Sequence, residues 1–355
     1  MGLYVYELAN KIHRYRVYKL FKHVPYPFIA GFSHLLARVF FGTSKKLVSR
    51  IRGSVKAIAG KDYPPGFVRK VADANLKNMG NLMLDLMLKA PNVDETNYMR
   101  LITFDGLEHL ERALALGKGV LVPSVHVGEF FHCLGALLLK GYEIAGVGNM
   151  KNRLVFEAVA GFPQYRKLRV VARDSYEKIH ASLVQHLKKN RIVFLMHDIP
   201  RAQNLRTPFI HGEKNYLVPT PQGIVALQRE TGAPIVPVVA IPDGSFTSSV
   251  VKVLDPSAIQ AAIDAHESDP PEAFHGHVST AINKELFPYI LRYPHCHEEL
   301  TGIGSFLLDL AVKFPRGAGL GDVIGIIEKN VETLIRGSFE PGRADALLLE
   351  WLAAG

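Results

Sequence analysis

The chain has 355 residues, with 42 Lys+Arg, 33 Asp+Glu, a net charge of +9 and 48% hydrophobic residues. That composition excludes a disordered chain and suits about two domains, or one large α/β unit with additions. The two cysteines, Cys133 and Cys296, are too few for a disulfide framework and lack metal-site spacing.

The charge is lopsided: residues 1–70 carry 14 Lys+Arg against 2 Asp+Glu. Tyr4, Tyr6, Tyr15, Tyr18, Phe21, Tyr26, Phe28, Phe32, Phe40 and Phe41 are interleaved there with Lys19, Lys22, Lys45 and Lys46. Aromatic rings beside lysines suit the head-group layer of a bilayer better than nucleic acid. Residues 1–94 are therefore expected to be a basic, aromatic-rich helical region that associates with an anionic membrane surface. The alternative is an amphipathic helix pair packed on the main domain. No secretory signal is read at the start, where charges interrupt the apolar stretch, and Tyr6 stands where a myristoylation signal needs Ser or Thr. The longest apolar run, residues 24–41, contains Pro25, Pro27, His34 and Arg38. A bilayer span needs about 20 apolar residues, so this run is expected to lie on the membrane.

Residues 67–90 repeat apolar side chains at three and four, which predicts an amphipathic helix stopped by Pro91. From about Leu101 the pattern changes. Short apolar runs predict strands over 119–126, 143–149, 169–173, 191–198, 233–242 and 248–256. Helical stretches at 130–140, 152–160, 175–189 and 220–231 fall between them. This alternation predicts an α/β fold with a mixed, mostly parallel sheet flanked by helices, assigned to residues 95–315. Residues 257–275 read as a loop or a surface helix with a turn, and 276–292 and 303–313 as helices. Residues 316–355 read as a C-terminal helical extension broken at Pro341-Gly342.

In open α/β sheets chemistry gathers where strands end. Two predicted strand ends carry polar residues: Ser124-Val125-His126-Val127-Gly128-Glu129, and Met196-His197-Asp198. A neutral imidazole held by a buried strand suits general-base work on an alcohol. A carboxylate within reach orients the ring and stabilises the imidazolium. Glu129 is close enough if a helix opens at Gly128. The plainer readings are a hydrogen-bonded buried His and an acid favoured by a helix N-terminus.

The run FDGLEHLERALALGKGVLVPSVHVGEFFHCLGALL (104–138) resembles the core of the lipid A biosynthesis acyltransferases, in the lysophospholipid and glycerophosphate acyltransferase superfamily. Gly106, Leu107, Glu108, Gly117, Lys118, Gly119, Ser124, His126, Gly128 and Gly135 fit its pattern. The likeness continues through Asn149 to Asn152, Arg173-Asp174, LKKNRIVFLMHD (187–198), Pro208-Phe209, Pro219-Thr220-Pro221, TGAPIVPVV (231–239) and INKELFPYILRYP (282–294). It implies transfer of an acyl chain from a thioester, on coenzyme A or an acyl-carrier protein, to a hydroxyl of a membrane lipid or glycolipid. His126 is then the base, and Lys151, Asn152 or Arg173 serve the oxyanion or substrate phosphates. The implied location is peripheral or monotopic, on the cytoplasmic face of the inner membrane. No cofactor or metal is implied beyond the acyl donor, and adjacent His295-Cys296-His297 rarely face one ion.

One position departs from the pattern. The family places a carboxylate five residues after the histidine, and Phe131 stands there. Three readings stay open: Glu129 replaces that carboxylate, Asp198 does, or the chain keeps lipid binding without acyl transfer. A soluble hydrolase is disfavoured because the G-x-S-x-G nucleophile elbow is absent.

Overall fold

A computed structural model describes residues 11–12, 15–40, 45–59, 66–84, 93–148, 165, 167–172, 175–199, 205–211, 214–242 and 249–296. The helices expected at 152–160 and 303–313 and the extension 316–355 lie outside the described residues.

Among the described residues there are nine strands, seven in the main sheet and two in a separate ribbon. They are β1 (Ile102–Asp105), β2 (Val120–Ser124), β3 (Ile144–Gly148), β4 (Leu168–Ala172), β5 (Ile192–Met196), β6 (Leu205–His211), β7 (Lys214–Thr220), β8 (Val238–Pro242) and β9 (Ser249–Val253). Four of them run in parallel in the order β2-β5-β3-β4. Three more run in the order β1-β9-β8, with β1 parallel and β8 antiparallel to β9. The two groups join beside β2. Leu121 N–H donates to the Pro234 carbonyl at 2.9 Å, and Val236 N–H donates to the Leu121 carbonyl at 2.9 Å. The α/β fold with a mixed, mostly parallel sheet between helices is thus the one expected.

Strand alternation sends neighbouring side chains to opposite faces, and both faces are dry. Val120 and Val122 pack with Ile144, Ile192 and Phe194 on one face. That face is covered by α5 (Leu107–Ala115) and α6 (Phe130–Leu139) through Leu110, Cys133 and Leu137. Leu121, Ala145 and Val193 point to the other face. There they meet α7 (Tyr176–Lys188), α8 (Gly223–Thr231), α9 (Ser257–His266) and α10 (Pro271–Arg292). Every residue of β2 is buried, as a parallel strand covered on both sides requires.

The N-terminal helices share this core. α1 is Tyr26–Phe40, α2 Lys45–Ala59 and α3 Phe67–Leu84, and a short α4 (Tyr98–Leu101) precedes β1. Val68, Val71, Ala72, Asn75 and Leu76 form the buried stripe of α3, at the three-and-four spacing that predicted the helix. Ile51 and Val55 of α2 join Val71, Leu121 and Ile224 in one cluster. α1 packs on α3 yet leaves Phe28, Phe32, Leu35 and Val39 exposed. Among the described residues no helix is long and apolar enough to cross a membrane.

Two features were not expected from the sequence. β1 is a four-residue strand, too short to show a period. β6 and β7 form an antiparallel ribbon in which Arg206 faces Pro219 and Pro208 faces Leu217. Proline argues against a central strand, but a two-stranded ribbon has only edges, where proline is tolerated. Asn283 Nδ2 on α10 donates to the Thr207 and Thr220 hydroxyls at 2.7 and 3.1 Å, pinning that ribbon to the core. Residues 257–275 resolve into α9, a turn and the start of α10.

Candidate active site

The central pair of strands sets the geometry. β2 and β5 run parallel, with Ser124 opposite Met196. His197 N–H donates to the Ser124 carbonyl at 2.7 Å, carrying the ladder one step past the strand ends. His126 and Asp198 each lie two residues beyond that final pair, so the register itself brings them together.

Asp198 grips His126 at two points. Its Oδ2 accepts the His126 backbone N–H at 2.7 Å, and its Oδ1 lies 2.7 Å from the ring Nδ1. An ionised carboxylate only accepts, so the ring proton sits on Nδ1 and the lone pair on Nε2. The Asp198 side chain is fully buried, while 11% of the His126 side chain is exposed. The carboxylate is thus shielded from water while the imidazole keeps a small opening. Phe130 completes the support: its ring meets the imidazole edge to face, with centroids 5.0 Å apart. The adjacent His197 is fully buried, and burial pushes its imidazole down to about 4 against the pull of the Asp198 charge. A neutral His197 places no second positive charge beside the dyad.

Glu129 goes elsewhere. Gly128 has φ +63°, a left-handed turn that suits glycine, and Glu129 follows it as the N-cap of α6. From there Glu129 Oε2 accepts a hydrogen bond from Ser249 Oγ of β9 at 2.8 Å. Of the two carboxylates weighed as partners of His126, Asp198 is the one beside the ring Nδ1, while Glu129 Oε2 accepts from Ser249. Lys151, Asn152 and Arg173 lie outside the described residues; β4, which leads to Arg173, is the strand at the sheet edge.

The loop carrying His126 is also fastened by a segment distant in sequence. Gly128 N–H donates to the Cys296 carbonyl at 2.9 Å. Cys296 closes the 3-10 turn Pro294–Cys296. Asn75 of α3 donates from Nδ2 to the Pro294 and His295 carbonyls at 3.3 and 3.2 Å. Asn75 and this clamp were not read from the sequence, since a buried amide on an apolar helix stripe carries no motif. Phe130 was missed for the same reason.

A partly exposed imidazole with its Nδ1 held by a buried carboxylate is equipped to take a proton from a hydroxyl. The family model for bacterial lipid A biosynthesis acyltransferases matches residues 15–269, a span that includes the dyad. The chain belongs to this family. It is therefore an acyltransferase that acts on lipid A-like substrates, taking an acyl group from a donor to a lipid acceptor. A search among curated proteins found no match.

Proposed function

We propose that this acyltransferase moves a fatty acyl chain from a thioester, on coenzyme A or an acyl-carrier protein, to a hydroxyl of a membrane lipid or glycolipid. The observation that carries this reading is the doubly anchored Asp198–His126 pair, in which the carboxylate holds the ring through Nδ1. Nε2 takes the hydroxyl proton as the oxygen attacks the thioester carbonyl. The tetrahedral oxyanion collapses, the C–S bond breaks, and the imidazolium returns the proton to the departing thiolate. Asp198 offsets the charge while the ring is protonated. Lys151, Asn152 and Arg173 are proposed to serve the oxyanion or substrate phosphates.

The reaction is proposed to take place on the cytoplasmic face of the inner membrane. Phe28, Phe32, Leu35 and Val39 form an exposed apolar stripe on α1, and Leu20 and Val24 lie exposed just before it. Lys19, Lys45, Lys46, Arg50, Arg52 and Lys56 are exposed nearby in the chain. An apolar stripe near cations suits an interfacial helix on an anionic surface.

The non-catalytic reading drew its support from Phe131, and Asp198 removes that support by supplying a carboxylate to Nδ1. The test is acyl transfer by the purified protein in mixed micelles, with acyl-CoA and acyl-carrier protein as donors and a lipid A precursor or a lipid extract as acceptor. Transfer that His126→Ala abolishes upholds the proposal. A fully folded parent that transfers from neither donor to any acceptor overturns it.

A further inference from the structure

The corner where α9 meets α10 gathers a second cluster of chemistry-bearing side chains, outside the acyl-transfer site. His266 Nδ1 lies 2.8 Å from Asp269 Oδ2, and His277 Nε2 lies 3.9 Å from the same oxygen. The two imidazoles stack with centroids 3.6 Å apart and planes 2° from parallel. One donor atom from each of the three residues lies within 4.8 Å of the other two. The His277 side chain is only 9% exposed, against 25% for His266 and 35% for Asp269. One face of the cluster is thus packed and the other open to water.

The backbone around Asp269 is held at two points. Its N–H donates to the His266 carbonyl at 2.9 Å. Its carbonyl accepts from Arg229 Nη2 at 3.0 Å, and that guanidinium lies 5.0 Å from the centroid of the Phe274 ring. A His–Asp pair across one turn is ordinary by itself. A second imidazole, nine-tenths buried, brings its Nε2 to 3.9 Å from the same carboxylate oxygen and adds a second nitrogen donor to the group.

We propose that His266, Asp269 and His277 form a binding site for a divalent transition-metal ion of the zinc class. Two imidazole nitrogens and one carboxylate match the N/O preference of zinc and its neighbours, whereas magnesium and calcium prefer oxygen alone. The open side leaves room for water to complete the coordination. Parallel rings cannot both aim a lone pair at one point, so binding turns the more exposed His266 out of the stack. It also displaces the Nδ1 proton now shared with Asp269. The positive charge of Arg229 opposes a bound cation, so the site is weaker than a four-ligand structural zinc site. Its effect is to fasten α9 to α10, because an ion that binds only the folded state raises stability by mass action.

The test is a cobalt(II) titration of the tag-free, full-length protein in detergent after treatment with a chelator, followed through the visible ligand-field bands. One equivalent is expected to saturate them. His266→Gln and Asp269→Asn are each expected to weaken binding by at least about tenfold. Zinc is expected to raise the thermal midpoint of the parent but not of His266→Gln. His277→Gln is the harsher variant because His277 is buried, and His266→Gln keeps the test valid if that protein does not fold. Failure of the parent to saturate, or equal binding by the variants, overturns the proposal. Acyl transfer is not read in this experiment, so it stands or falls apart from the reaction.

Discussion

Asp198 reaches both the backbone and the ring of one histidine, a closer hold than neighbours in sequence provide. Glu129 is three residues from His126, yet its carboxylate serves Ser249. His126→Ala is expected to lose about 10²–10⁴-fold in transfer rate, the usual worth of a general base. Asp198→Asn is expected to lose a comparable factor in kcat. The double variant should lose little more, because the two residues act as one unit. Glu129→Gln is expected to stay within a few-fold of the parent, which steady-state kinetics of the four variants in parallel will check. A loss with Glu129→Gln as large as with Asp198→Asn would contradict this assignment. The predicted strands 119–126 and 191–198 put both site residues at strand ends. The partnership was not legible, because it depends on the β2–β5 register, which pairs residues about 70 positions apart.

At the scale of elements, three predictions follow from helices and turns. Phe28→Ser with Phe32→Ser removes two rings from the exposed face of α1. It is expected to weaken binding to anionic vesicles severalfold at constant fold, as flotation will show. Basic residues near such a surface contribute about 1 kcal/mol each, screened by salt, so high salt should release the parent too. Asn75→Ala frees the Pro294–Cys296 turn and, through Cys296, the Gly128 amide. A positioning role predicts a fall in kcat with KM little changed, and partial rescue by Asn75→Gln. Gly119 has φ +70°, and a Cβ there would meet the Leu187 carbonyl oxygen at 2.7 Å. Gly119→Ala is therefore expected to cost about 1–3 kcal/mol in denaturant unfolding. The GKG run that opens β2 was legible as part of the family pattern, whereas the reason for its second glycine is a carbonyl at the end of α7.

Across the whole molecule, burial governs the response to acid. Burial holds His197 and His295 down to about 4, against an ordinary value of 6.5. The unfolded chain takes these protons near 6.5, and the folded chain only near 4. Folding is therefore favoured less as pH falls through that window, by about 1.4 kcal/mol per pH unit for each group. Above 6.5 neither histidine contributes. Urea unfolding is expected to show lower stability at pH 5 than at pH 7, and equal midpoints would refute this. The layered sheet was legible because apolar runs of strand length alternate with helical periods. The joining of two strand groups through Leu121 and Pro234, the proline-bearing ribbon and the core shared with α2 and α3 were not. Each is a contact between distant segments, and local periodicity carries no record of partners.

The clamp between Gly128 and Cys296 also orders events in time. During synthesis β2 and the His126 loop leave the ribosome early, and Asp198 follows only after β5. The turn that secures the loop emerges last of the three. A nascent chain therefore holds an imidazole without its carboxylate, then a dyad on an unfastened loop, and a fully braced one only once Cys296 is out. Chains stalled or truncated before Pro294 are expected to be inert in acyl transfer even where the parallel strands have paired.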